Sequence, residues 1–265
     1  MTNLALHTWT LDTTPLAELL PIARATGWDA IELRRIDFAR ATAQGDAPAQ
    51  VIQRVTANGL PVACVGVELG WMFADGDERQ KLLTAFAESC RWAVELGCGL
   101  VMSASDRGRG EIARASESVR EVGDIARAAG VRVALEFNSQ AAQFNSLEVA
   151  RELLAKAAHP SVGLLLDTYH LGRSGASPSS LDDVALSEIA YVQYSDVPRT
   201  GLEPGKALDR LPPGQGSVPF REMFGAILGK GYTGYFSYEA PNPSAWARPA
   251  ADVAREALSA TRAVL

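Results

Sequence analysis

Positive charge, cysteine and long apolar runs are all scarce in this chain. Its 265 residues carry 25 Lys and Arg against 31 Asp and Glu, a net charge of −6. An acidic chain has little with which to neutralise a phosphate backbone, so no nucleic-acid partner is expected. No apolar run approaches the roughly 18 residues of a membrane span, so no membrane partner is expected either. The start, MTNLALHTWTLD, has no basic segment followed by a long apolar one, and no signal peptide is expected. Cys64, Cys90 and Cys98 are an odd number in apolar contexts without a CxxC pair. They read as reduced core thiols of a cytoplasmic protein. The turn after the first strand-like segment, HTWTLDTTPL, contains no glycine, which argues against a doubly wound sheet with a phosphate loop.

What is present is an alternation of strand-like and helix-like segments, with 47% hydrophobic residues to fill a core. LALHTW, DAIELRR, PVACVGVEL, CGLVMSAS, VRVALEF, VGLLLD, IAYVQY and GYFSYE read as strands. Between them lie helical patterns. PLAELLPIARATG, PAQVIQRVTANG, the long DERQKLLTAFAESCRWAVELG and ARASESVREVGDIARAAG each close on glycine, as helix ends often do. SLEVARELLAKA, a weaker SLDDVALSE, FREMFGAILGKG and ADVAREALSATRAVL complete the set. Strands separated by helices run parallel. Eight such units in about 250 residues predict a single (β/α)8 TIM barrel of the α/β class, as one domain over residues 1–265. The Pro/Gly-rich stretch from Pro198 to Pro219 is expected as a loop on the catalytic face.

Four of the apolar runs carry a polar residue at or near the C-terminal end: Glu136, Asp167, Gln193 and Glu239. A buried strand has no use for a carboxylate unless it is paired or binds a metal. Each acid taken singly reads as readily as the partner of a basic residue. Four at equivalent positions on neighbouring strands predict convergence on one cation. Carboxylate and amide oxygens suit Mg2+ or Mn2+ better than Zn2+ or Cu2+.

The combination of LEFN, LDTYH, VQYSD, RLPPGQG and a strand-eight SYE after GYTG resembles the xylose isomerase-like sugar isomerase/epimerase superfamily, which includes hydroxypyruvate isomerase and the ketose 3-epimerases. The resemblance covers nearly the whole chain. It implies metal ligation by Glu136, Asp167, Gln193 and Glu239, with Gln193 where most members have histidine. It implies that Glu136 and Glu239 also move protons. His170 and Arg210 would contact substrate oxygens. His7, close to the end of strand one and facing the same mouth, is a further candidate for substrate contact. Glu32 ends a strand too, with a salt bridge to Arg34 as the plain alternative. Trp9, Trp71, Met72 and Phe73 would either wall the pocket or simply pack. Arg107 and Arg109 would suit an anionic substrate or lie in an exposed loop. His159 lies at the opposite end of the barrel. Gly214 and Gly216 are expected to serve a turn needing positive φ.

The implied activity is a divalent-metal-dependent isomerase or epimerase acting on a small carbohydrate, keto-polyol or keto-acid. A proton would move next to a carbonyl through a metal-stabilised enediolate. The alternative is a lyase on the same scaffold, dehydrating an inosose or 3-dehydroshikimate. The superfamily's DNA-repair branch uses a histidine-rich trinuclear zinc site, and three histidines are too few for it. A barrel that binds a sugar without turning it over is disfavoured by the complete ligand set. Barrels of this family often pair, which leaves room for a homo-oligomer.

Overall fold

Each apolar run becomes a short buried strand, and the strands close on themselves. The computed structural model describes residues 2–265. Strand β1 (Asn3–His7) leads through a 3₁₀ turn, Thr8–Leu11, to α1 (Leu16–Thr26). Then come β2 (Ala30–Arg34), α2 (Arg35–Ala43), α3 (Pro48–Asn58), β3 (Val62–Gly66), α4 (Gly76–Glu95), β4 (Leu100–Ala104) and α5 (Ile112–Ala129). The second half runs β5 (Arg132–Glu136), α6 (Leu147–Ala157), β6 (Val162–Asp167), α7 (Thr168–Arg173), β7 (Ile189–Tyr194), α8 (Phe220–Gly229), β8 (Tyr235–Tyr238), α9 (Pro243–Trp246) and α10 (Ala250–Val264). All neighbours are parallel, and β8 pairs with β1 to complete an eight-stranded barrel.

Four elements differ from the sequence expectation: α2 and the short helices α7 and α9 were not foreseen, and one expected helix does not form. Helix α2 starts because Asp37 reaches back to accept from the Arg34 backbone N–H at 2.8 Å, and it is held because Phe38 stacks on Trp92 of α4 at 4.2 Å. The helix expected over SLDDVALSE does not form. The β6–β7 crossover instead contains two 3₁₀ turns, Pro178–Leu181 and Leu186–Glu188. Here serine side chains compete for the backbone: Ser180 Oγ accepts from the Ser177 N–H at 3.1 Å.

The barrel interior is lined by mostly small residues: Ala5, Ala30, Ala63, Cys64, Met102, Ala134, Leu165 and Tyr191. Side chains alternate across a strand, so the residue two further on faces inward again, now at the C-terminal mouth. Two beyond Ala5 is His7, two beyond Ala30 is Glu32, and two beyond Ala134 is Glu136. By the same step Leu165 leads to Asp167 and Tyr191 to Gln193. Glu239 follows β8 directly, its N–H bonded to the Tyr194 carbonyl at 3.1 Å. Six polar groups are thereby delivered to one mouth by strand periodicity alone. The outward residues, such as Leu4, Ile31, Leu166 and Phe236, meet the helices in the larger core.

Candidate metal centre and active site

At that mouth the six strand-borne groups are joined by Arg210 and His170, and all eight are buried. Asp167 ends β6 and caps α7: its Oδ1 accepts from the Tyr169 N–H at 2.9 Å. Its Oδ2 accepts from Arg210 Nη1 at 2.8 Å. The same Nη1 donates to Glu239 Oε2 at 2.7 Å. Arg210 also lies over the Tyr169 ring, 4.4 Å from its centroid, and its Nη2 is 3.3 Å from His170 Nε2. His170 Nε2 is 3.8 Å from Glu136 Oε1.

The opposite side of the mouth is built from β1, β2 and β7. His7 Nδ1 accepts from the Trp9 N–H at 3.0 Å, and its Nε2 lies 3.3 Å from Glu239 Oε1 and 3.6 Å from Glu32 Oε1. Gln193 Nε2 donates to Glu32 Oε1 at 2.8 Å, and the Tyr191 hydroxyl donates to Glu32 Oε2 at 3.0 Å. Glu32 is therefore part of the site. The plain alternative, a salt bridge to Arg34, does not occur: Arg34 pairs with Asp12 at 2.8 Å and Asp37 at 3.0 Å.

Burial governs the protonation of these groups. It pushes Glu136 well above the usual carboxylate range, with the charges of Glu239 and Asp167 adding to the effect. Burial raises Asp167 to about 6 against the pull of Arg210, and raises Glu32 to about 8. It lowers His7 and His170 well below the ordinary imidazole range, so both rings are neutral near pH 7. Burial also opposes the charge on Arg210, but the carboxylates of Glu239 and Asp167 outweigh it and hold the guanidinium protonated.

The residues present fit a divalent cation. Among the described residues, Glu136 Oε1 and Gln193 Oε1 are buried and meet no hydrogen-bond donor. Such oxygens are costly unless a donor or a cation faces them. Glu136, Asp167 and His170 each bring one ligand atom within 4.8 Å of one another. One guanidinium stands against the carboxylates of Glu136, Asp167 and Glu239, and a cation here would reverse the upward shifts of Glu136 and Asp167. His170, expected only to contact substrate, is thus also placed as a candidate donor.

A family model for the xylose isomerase-like TIM barrel matches residues 20–264. The chain belongs to that family. This xylose isomerase-like barrel is 26% identical over 251 residues to the 3-dehydroshikimate dehydratase of Pseudomonas putida, a match spanning 92% of the chain but 39% of that relative. It is 23% identical over 263 residues to the inosose isomerase of Bacillus velezensis, covering 97% of the chain and 94% of the relative. Among solved structures, the IOLI protein with a bound zinc atom superposes with a TM-score of 0.89 at 22% identity, covering 99% of the chain and 98% of that structure.

The other sequence candidates of this xylose isomerase-like chain sort by position. Trp71 and Met72 are fully buried, and Trp71 Nε1 donates to Ser103 Oγ at 2.9 Å, while Phe73 stacks on Phe144 at 6.1 Å. These three pack. Arg107 and Arg109 are exposed. His159 lies away from the mouth, 3.3 Å from Asp124. Gly214 has the expected positive φ of 84°. Gly216 does not: a Cβ there would stand 2.1 Å from the Val197 carbonyl oxygen and 2.5 Å from Asp196 Oδ1, so close approach demands the glycine. Asp196 was missed at the sequence level, although it stands in the VQYSD motif. Its buried carboxylate accepts from the backbone N–H groups of Gly216, Val197 and Val218 at 2.7, 2.9 and 2.9 Å. Asp196 also exchanges two backbone bonds with Leu211, next to Arg210. The loop that delivers Arg210 is anchored there.

Proposed function

We propose that this barrel is a divalent-metal-dependent isomerase or epimerase that moves a proton at the carbon beside a carbonyl of a small carbohydrate, keto-polyol or keto-acid. The observation that carries the reading is the pair of buried, unpartnered oxygens on Glu136 and Gln193 beside the carboxylates of Asp167 and Glu239. Glu136, Asp167, Gln193 and Glu239 would hold Mn2+ or Mg2+, with His170 as a further donor within reach. When bound, the cation supplies Lewis acidity to the substrate carbonyl. Glu136 and Glu239 reach the mouth from β5 and from the end of β8, which are not neighbours in the ring. One carboxylate removes the proton beside the carbonyl. The other returns it, to the same carbon in an epimerase or to the neighbouring carbon in an isomerase. Arg210, His170 and His7 bind substrate oxygens and keep water out of the mouth.

The test is a panel of ketoses, inososes and hydroxypyruvate in D2O with Mn2+, read by NMR for exchange of the α-proton. Glu136→Gln and Glu239→Gln should each fold and lose that exchange. Exchange retained by both variants would overturn the mechanism. A second reading, dehydration on the same scaffold, is favoured by the likeness to the 3-dehydroshikimate dehydratase over 92% of the chain. It begins with the same proton removal, and the same spectra would show it as a new olefinic product.

A further inference from the structure

A glutamine ligates a cation only through its amide oxygen, yet the two ends of its amide have nearly the same shape. Something must decide which end of Gln193 faces the metal site. In this barrel the Nε2 end is taken: it donates to Glu32 Oε1 at 2.8 Å, and Oε1 of Gln193 is left buried without a donor. Glu32 comes from β2, and Gln193 lies 161 residues away on β7. The carboxylate is itself fixed by the Tyr191 hydroxyl, 3.0 Å from Glu32 Oε2. Tyr191 and Gln193 sit two apart on one strand, so both face inward and meet the same carboxylate.

We propose that Glu32 is a positioning residue that fixes the orientation of the Gln193 amide, turning its oxygen toward the cation. This rests on the metal-dependent reading above. A flipped amide would set two oxygens against each other at 2.8 Å and turn an NH2 group toward a cation. The Tyr191 hydroxyl donates to Oε2, which leaves Oε1 to accept from the amide. Partners of this kind, which orient a ligand without touching the metal, change metal affinity by about 10–100-fold when removed.

The test is Mn2+ affinity by calorimetry, with folding of every variant checked by circular dichroism. Glu32→Leu removes the acceptor at similar volume and should weaken Mn2+ binding by about 10–100-fold. Glu32→Gln keeps an amide oxygen as acceptor and should stay within a few-fold of the wild type. In a Gln193→Ala background Glu32→Leu should change the affinity by less than about two-fold, because the group it positions is gone. Wild-type affinity in Glu32→Leu, or an equal loss in the Gln193→Ala background, overturns the positioning role. Should Glu32→Leu not fold, Tyr191→Phe decides: a loss seen only when Gln193 is present supports the role, and no loss refutes it. A wild-type protein that binds no Mn2+ would refute the metal-dependent reading itself. Mn2+ binding that ignores Glu32 would refute only this inference.

Discussion

Asp196→Asn isolates the anchor of the loop that carries Arg210. The substitution changes one oxygen to NH2 and keeps the shape. In the wild type Oδ1 accepts from the Val197 and Val218 N–H groups and Oδ2 accepts from that of Gly216. If the asparagine keeps its oxygen at the Oδ1 position, its NH2 faces the Gly216 N–H, donor against donor at 2.7 Å. If it flips, the NH2 faces two donors instead of one. At least one hydrogen bond to a charged acceptor is lost, about 1.5–3 kcal/mol, and the remaining two weaken once the acceptor is neutral. The expected destabilisation is about 2–4 kcal/mol, a large part of a typical stability of about 5–15 kcal/mol. Urea unfolding of wild type and variant in EDTA at pH 7 reads it directly. Because Asp196 also pairs with Leu211, the variant should lose substrate affinity as the Arg210 loop loosens. A destabilisation below about 0.5 kcal/mol would mean that the three N–H groups find other partners, and it would refute the anchor.

Chelation with EDTA should abolish α-proton exchange, and Mn2+ or Mg2+ should restore it. Thermal unfolding should shift upward on metal addition, because a ligand of the folded state stabilises it; activity and melting temperature that ignore chelation would count against the metal centre. The pH dependence follows from Glu32. Burial raises its folded-state pKa from 4.5 to about 8, so the folded protein binds that proton more tightly than the unfolded chain does. The stabilising contribution is complete below about pH 4.5 and is lost as the pH rises through about 8. Glu32→Gln has no proton to lose, so in EDTA its stability relative to wild type should grow by up to about 4 kcal/mol between pH 5 and 8. Urea titrations at the two pH values check the sign, and a gap that shrinks with pH would contradict the burial argument.

The barrel was legible in the chain because its signals are local. Apolar runs of strand length, separated by helical periodicity and closed by glycine, repeat along the whole sequence. The strand-end positions of Glu136, Asp167 and Gln193 follow from side-chain alternation, and Glu239 follows directly after the last run. Period two carries each inward-facing position to the same mouth once the strands are parallel. Where local chemistry was ambiguous, the reading failed. SLDDVALSE has helical spacing, but its flanking serines compete for the backbone, and α2 starts on a capping contact from Asp37 that apolar periodicity does not reveal.

The sequence by itself therefore determined the fold, the mouth, and most of the polar groups that line it. Only the tertiary structure decided how those groups pair. Arg210 arrives between Asp167 and Glu239 because Asp196 ties its loop down, and nothing near Arg210 in the chain states that. Glu32 meets Gln193 rather than Arg34 because closing the ring brings β2 and β7 to one mouth, while Asp12 and Asp37 hold the Arg34 guanidinium. The alternation of a strand is set by its own backbone. Contacts across a barrel depend on closure, which no single segment encodes.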